Sequence, residues 1–119
     1  MAFTGKEGNP IKLDKARKWV SNYREKNGKE AVYAEFFGCD MINQILSQQN
    51  SDGHCKGIRI YYSIDDEGKP HLLLVGATEN EQNMLPSDSQ QALREGGGEE
   101  PIIGDDGFPW PPPMSGGGL

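Results

Sequence analysis

Apolar and polar positions alternate with different periods along the chain. Leu13, Ala16, Val20 and Tyr23 recur at spacings of 3, 4 and 3, with Trp19 widening the stripe, while Lys15, Lys18, Asn22 and Lys26 occupy other faces. That period predicts an amphipathic helix starting near Leu13. Asn27-Gly28 supplies its stop, with Lys26 in the last turn. Ala31 to Phe37 holds Val32, Tyr33, Phe36 and Phe37 and closes on Gly38, a composition that reads as a short strand. Met41, Ile42, Ile45 and Leu46 return to the 3/4 spacing, so a second helix is expected from a cap at Asp40 to about Gln49. Gln48 to Gly53 is polar and turn-forming.

A strict alternation follows. Ile58, Ile60, Tyr62 and Ile64 interleave with Arg59, Tyr61 and Ser63, as in a half-buried strand. Asp65 to Lys69 reads as a hairpin loop, with Gly68 able to take positive φ. The return strand His71 to Val75 is apolar without interruption, which predicts burial on both faces and a central position under a helix. Pro70 at its first residue costs no ladder bond. Beyond Ala77 the pattern decays. Met84-Leu85 is expected to be a last anchor on the core, and Phe108 to Pro113 is expected near polyproline II geometry.

These elements predict an α+β fold in which two helices pack on a small antiparallel sheet in the order α-β-α-β-β. Residues 1–10 read as a flexible arm, 11–85 as the domain and 86–119 as a disordered acidic Gly/Pro-rich tail. Charge follows the same division: residues 1–77 carry 11 Lys/Arg against 10 Asp/Glu, while residues 78–119 carry Arg94 against 8 acids. The net charge of −6 therefore belongs to the C-terminal part, and an acidic chain disfavours nucleic acid as a partner. The first ten residues have no apolar core for a signal peptide, and no apolar run is long enough for a membrane span, so a cytoplasmic location is expected. A domain of this size has room for a shallow site and little for a deep cofactor pocket.

The run Gly57-Ile58-Arg59-Ile60-Tyr61-Tyr62-Ser63-Ile64-Asp65-Asp66-Glu67-Gly68, continued by Leu72-Leu73-Leu74-Val75-Gly76, resembles a family of small uncharacterised bacterial proteins. Its placement after Phe36-Phe37-Gly38 and the Met41–Leu46 helix fits the same resemblance, which covers most of residues 11–114. That family's tail typically ends in a Pro-Cys-Pro-Pro-x-Cys-like element. Here the matching stretch is Pro109-Trp110-Pro111-Pro112-Pro113-Met114, so Trp110 and Met114 stand at both cysteine positions. The resemblance implies a shared fold and brings no activity with it.

Four features bear on function. Cys39, His54, Cys55 and His71 are types that suit Zn²⁺, but no C-x₂-C or H-x₃₋₅-H spacing joins them, and free thiols are the commoner fate of such cysteines. A small thiol- or metal-dependent enzyme using Cys39, Cys55 and His54 is one reading. Asp65-Asp66-Glu67 lacks the calcium-loop pattern and reads as a solvated turn. Lys12, Lys15, Arg17, Lys18, Arg24, Lys26 and Lys29 make the first helix basic, diluted by Asp14 and Glu25. Finally, Phe108, Pro109, Trp110, Pro111, Pro112 and Pro113 combine aromatic and proline residues as short linear ligands do. With no phosphate loop, catalytic motif or cofactor motif, the expected role is non-enzymatic: an interaction or accessory module whose tail is presented to a protein partner. A subunit that self-assembles through exposed sheet edges is a further reading.

Overall fold

The computed structural model describes residues 2–28, 31–86 and 101–110. It contains, in chain order, α1 (Leu13–Asn27), β1 (Ala34–Phe36), α2 (Cys39–Leu46), β2 (Gln49–Asn50), β3 (Gly53–Ile64), β4 (Pro70–Thr78), β5 (Ile103–Gly104) and β6 (Phe108–Trp110). The α+β class is as expected: two helices with a four-stranded antiparallel sheet, in the order β2-β3-β4-β5. Among the described residues, no helix is long and apolar enough to cross a membrane. The chain divides into two compact units, Met1–Glu7 with Phe37–Gly107 and Gly8–Phe36 with Phe108–Leu119.

In the first unit the β3–β4 hairpin is the frame. Its register runs from Cys55 opposite Thr78 to Ile64 opposite Pro70, with a bulge between Cys55 and Gly57. The expected loop is observed: Asp65 N–H donates to Lys69 O at 2.8 Å, and Gly68 N–H donates to Asp65 O at 3.0 Å. β4 lies between β3 and β5; of the run expected to be buried, Leu74 and Val75 are buried while His71, Leu72 and Leu73 are half-buried, and burial continues through Gly76, Ala77 and Thr78. After Thr78 the chain turns back along the other edge of β4. Thr78 N–H donates to Gln82 O at 3.0 Å and Met84 N–H to Gly76 O at 2.8 Å. Met84 is fully buried, the anchor expected there, while Leu85 stays exposed.

α2 packs on one face of this sheet, and its fit depends on two glycines. A Cβ added to Gly76 would lie 2.8 Å from Gln48 Nε2, 3.0 Å from Cys55 Sγ and 3.3 Å from Ile45 Cγ2. One added to Gly104 would lie 3.0 Å from Leu74 Cβ and 3.1 Å from Ile45 Cδ1. Ile45, fully buried, fills the space that the missing side chains leave. The helix starts two residues earlier than expected, on Gly38 with no side-chain cap, and Asp40 falls in the first turn instead. There its charge still complements the helix N-terminus.

The reading of residues 86–119 as a tail outside the fold is corrected for residues 101–110. Ile103 and Gly104 pair with Val75 and Leu74, and Ile102 N–H donates to Gln48 Oε1 at 2.6 Å. This segment has too few apolar residues to signal burial, because what it contributes is backbone and a glycine. In the second unit, Ala34, Glu35 and Phe36 pair antiparallel with Trp110, Pro109 and Phe108. The polyproline expectation is therefore replaced by a strand over Phe108–Trp110, and Pro111, Pro112 and Pro113 lie outside the described residues. A proline within a strand is tolerated at a sheet edge, and β6 is an edge strand. α1 ends at Gly28 as expected, and Tyr23 Oη donates to Val32 O at 3.4 Å, tying the helix to the chain before β1.

Ile45→Ala should lower stability by about 2–5 kcal/mol, because the cavity would open between two positions with no side chain to collapse into it. Urea denaturation of the two proteins measures this; a loss under 1 kcal/mol (on the order of a single surface change) would contradict the packing described.

Candidate functional site

The residues proposed for thiol or metal chemistry are held apart by their elements. Cys39 opens α2 and is exposed, its Sγ 3.9 Å from Asp40 Oδ1, which is a weak contact. Cys55 is half-buried beside Gly76, and its Sγ–H donates to Gly57 O at 3.1 Å. His54 is exposed on the neighbouring position of β3, where it pairs with Gln49. Successive strand residues face opposite sides, so adjacency in sequence does not bring His54 and Cys55 together. Among the described residues, no group of three or more His, Cys, Asp or Glu side chains is placed to hold a metal ion.

His71 instead serves the hairpin loop. Its Nε2 lies 2.9 Å from Asp65 Oδ2, while Asp65 Oδ1 accepts the N–H groups of Glu67 at 2.9 Å and Lys69 at 2.8 Å. The acidic turn is therefore organised by its first carboxylate, and Asp66 and Glu67 remain exposed. The Lys69 and Glu67 amides and the His71 contact hold the Asp65 carboxyl below its ordinary value, the Lys69 amide contributing most. Ser63 Oγ donates to the backbone carbonyl of His71 at 2.8 Å, not to its ring, so the Asp-His pair has no nucleophile attached through that serine.

On the face of β3 that Arg59 and Tyr61 share with Ser63, away from α2, a cluster forms that no periodicity announced. Arg59 Nη1 donates to Asn83 Oδ1 at 2.6 Å, and Asn83 Nδ2 donates to Tyr61 Oη at 2.7 Å. The Phe3 ring lies 5.3 Å from the Arg59 guanidinium, and Phe3 N–H donates to Glu79 O at 2.8 Å. The Asn83 amide, with Arg59 behind it, lowers the Tyr61 hydroxyl pKa. Glu7 folds back on the arm, accepting the N–H groups of Thr4 at 2.8 Å and Gly5 at 2.9 Å. These contacts bound a shallow recess of about 280 Å³ lined by Phe3, Gly5, Glu7, Lys56, Arg59 and Ala77. Its charges are mixed and its arginine is occupied by Asn83, which suits a structural clasp better than a ligand cradle. Alternation placed Arg59 and Tyr61 on one face, but their partners come from residues 1–10 and 79–83, where no periodicity exists to read.

Two basic residues of α1 contact aromatic rings of their own unit: Lys15 Nζ stands 4.9 Å from the Trp19 ring and Arg24 stands 4.5 Å from the Tyr33 ring. Lys29 and Pro111 to Pro113 lie outside the described residues. The tail residues Phe108, Pro109 and Trp110 are brought to β1 as a strand. Comparison of the chain with protein-family models, with curated proteins and with solved structures finds no match.

The Asp65 network should make the hairpin sensitive to acid. A carboxyl held below its unfolded value binds fewer protons in the folded state, so its contribution is present above the unfolded pKa and lost as pH falls through the folded one. Urea midpoints at neutral and acid pH should therefore fall further for the wild type than for Asp65→Ala. Equal losses in the two proteins would show that Asp65 carries none of the acid sensitivity.

Proposed function

We propose that this chain is a non-enzymatic protein-interaction module that acts in the cytoplasm and engages a protein partner through Phe108–Pro113. The observation that carries the proposal is the pairing of Phe108–Trp110 with β1. A segment rich in aromatic and proline residues is held in an extended form by three backbone pairings. This is the geometry of strand addition, in which main-chain hydrogen bonds give affinity and alternate side chains give specificity. A partner strand of similar chemistry could add beside β6 or exchange with it. Two cysteines that remain free thiols support a reducing compartment.

The thiol or metal enzyme has no comparable support, because Cys39, Cys55 and His54 stand on separate elements or opposite strand faces. Truncation after Leu85 is a poor test of the tail, since it also removes β5 from the sheet. Point substitution separates the two effects. Capture of partners on immobilised full-length chain should weaken on the order of tenfold in Trp110→Ala, comparable to loss of an interface aromatic. Gly104→Ala, which crowds Leu74 and Ile45, should loosen β5 and leave capture unchanged. If Trp110→Ala recovers the same partners in the same amounts, the tail is not the recognition element.

A further inference from the structure

The hairpin leaves one strand edge open, and its backbone polarity can be read from the register. Asp65 N–H bonds to Lys69 O, and Ser63 stands opposite His71, so the odd-numbered residues of β3 direct their backbone groups toward β4. Ile58, Ile60, Tyr62 and Ile64 therefore direct theirs the other way. On that side β2 pairs with Gly53 and His54, and Cys55 N–H donates to Gln48 O at 2.9 Å. Beyond the bulge at Cys55/Gly57, no strand lies beside Ile58–Ile64 on this edge among the described residues.

Native edge strands are blunted by lysine, proline, bulges or inward charges. Positions 58, 60, 62 and 64 carry none of these. Their side chains share the α2 face of the sheet, yet α2 covers its Gly76 end, and Ile60, Tyr62 and Ile64 remain 54%, 93% and 74% exposed. The strand combines an unpaired backbone edge with an apolar stripe of the same residues.

We propose that this edge pairs with a second copy of the chain, antiparallel to itself, in a continuous sheet across the two molecules. The charge along the strand selects that occupant. Lys56 and Arg59 precede its midpoint, and Asp65, Asp66 and Glu67 follow it, opposed by Lys69. A parallel copy would set like charges side by side. An antiparallel copy sets the basic end of each strand beside the acidic turn of the other. In the register centred on Tyr61, Ile60 faces Tyr62 of the second copy and Ile58 faces Ile64, all on one face. Lys56 then faces Asp66, and both are exposed. The apolar pairs and the Lys56–Asp66 pair are all supplied by the same sequence, so no other chain is required.

Light scattering of the full chain across a dilution series should show a dimer dissociating to monomer. Amide exchange measured by NMR on either side of that midpoint should show added protection at Ile58, Ile60, Tyr62 and Ile64 in the dimer. Protection at Arg59, Tyr61 and Ser63, already bonded to β4, should not change. Tyr62→Lys should raise the dissociation constant on the order of tenfold or more, by placing a charge on the open edge. Lys56→Asp should weaken the dimer, and Asp66→Lys added to it should restore association. A chain monomeric at every concentration overturns the proposal. So does a dimer whose new protection lies elsewhere, as face-to-face packing or a tail-mediated contact would produce. Trp110→Ala should leave the dimer intact, so the tail reading and this one fail separately.

Discussion

Ile45 occupies the place where β4 and β5 would otherwise present side chains. Its Cγ2 and Cδ1 reach toward Gly76 and Gly104, one glycine in the hairpin and the other far along the chain. Because both positions lack a Cβ, α2 lies close enough for Gln48 to hold the backbone of Ile102. The burial of Leu74 and the seating of β5 follow from the same approach. A methyl group at either glycine would push the helix outward and weaken all of these contacts together, since packed interiors transmit strain rather than absorb it.

The parts of this arrangement that were legible in the sequence are those whose side chains repeat. Ile58 to Ile64 alternate, Leu72 to Val75 form an unbroken apolar run, and Met41 to Leu46 keep helical spacing, so the hairpin and α2 emerged near their observed bounds. The parts that were not legible are joined by backbone. Ile103-Gly104 and Phe108–Trp110 each pair through a few main-chain groups, which leave no periodic trace. Phe3 and Asn83 reach Arg59 from stretches without pattern, and the hydrogen bond from Thr78 to Asp52 joins residues that nothing in their spacing connects. For the candidate site the same division holds. Residue type nominated Cys39, Cys55 and His54, but only their placement could show that α2 and the two faces of β3 keep them apart.

The hairpin has two ends of unlike character. At the α2 end its apolar face is closed by a helix and its edges by β2, the turn after Thr78 and β5. At the other end Asp65 ties the loop with its own amides and His71, so order is maintained there by polar contacts. Between them lies a stretch of strand whose apolar face is uncovered while its backbone is rigidly held on one side. Rigidity of this kind favours recognition, because a strand already extended loses little conformational freedom on pairing.

The order in which the elements leave the ribosome gives β5 and β6 a particular place in folding. Each pairs with a strand made much earlier: Gly104 with Leu74, and Trp110 with Ala34. During synthesis the hairpin and α2 can associate as soon as they emerge, whereas β1 must wait for more than seventy further residues before its partner exists. Until then the nascent protein carries an unsealed sheet and a solitary strand, the state in which chains are most open to capture by chaperones or by one another.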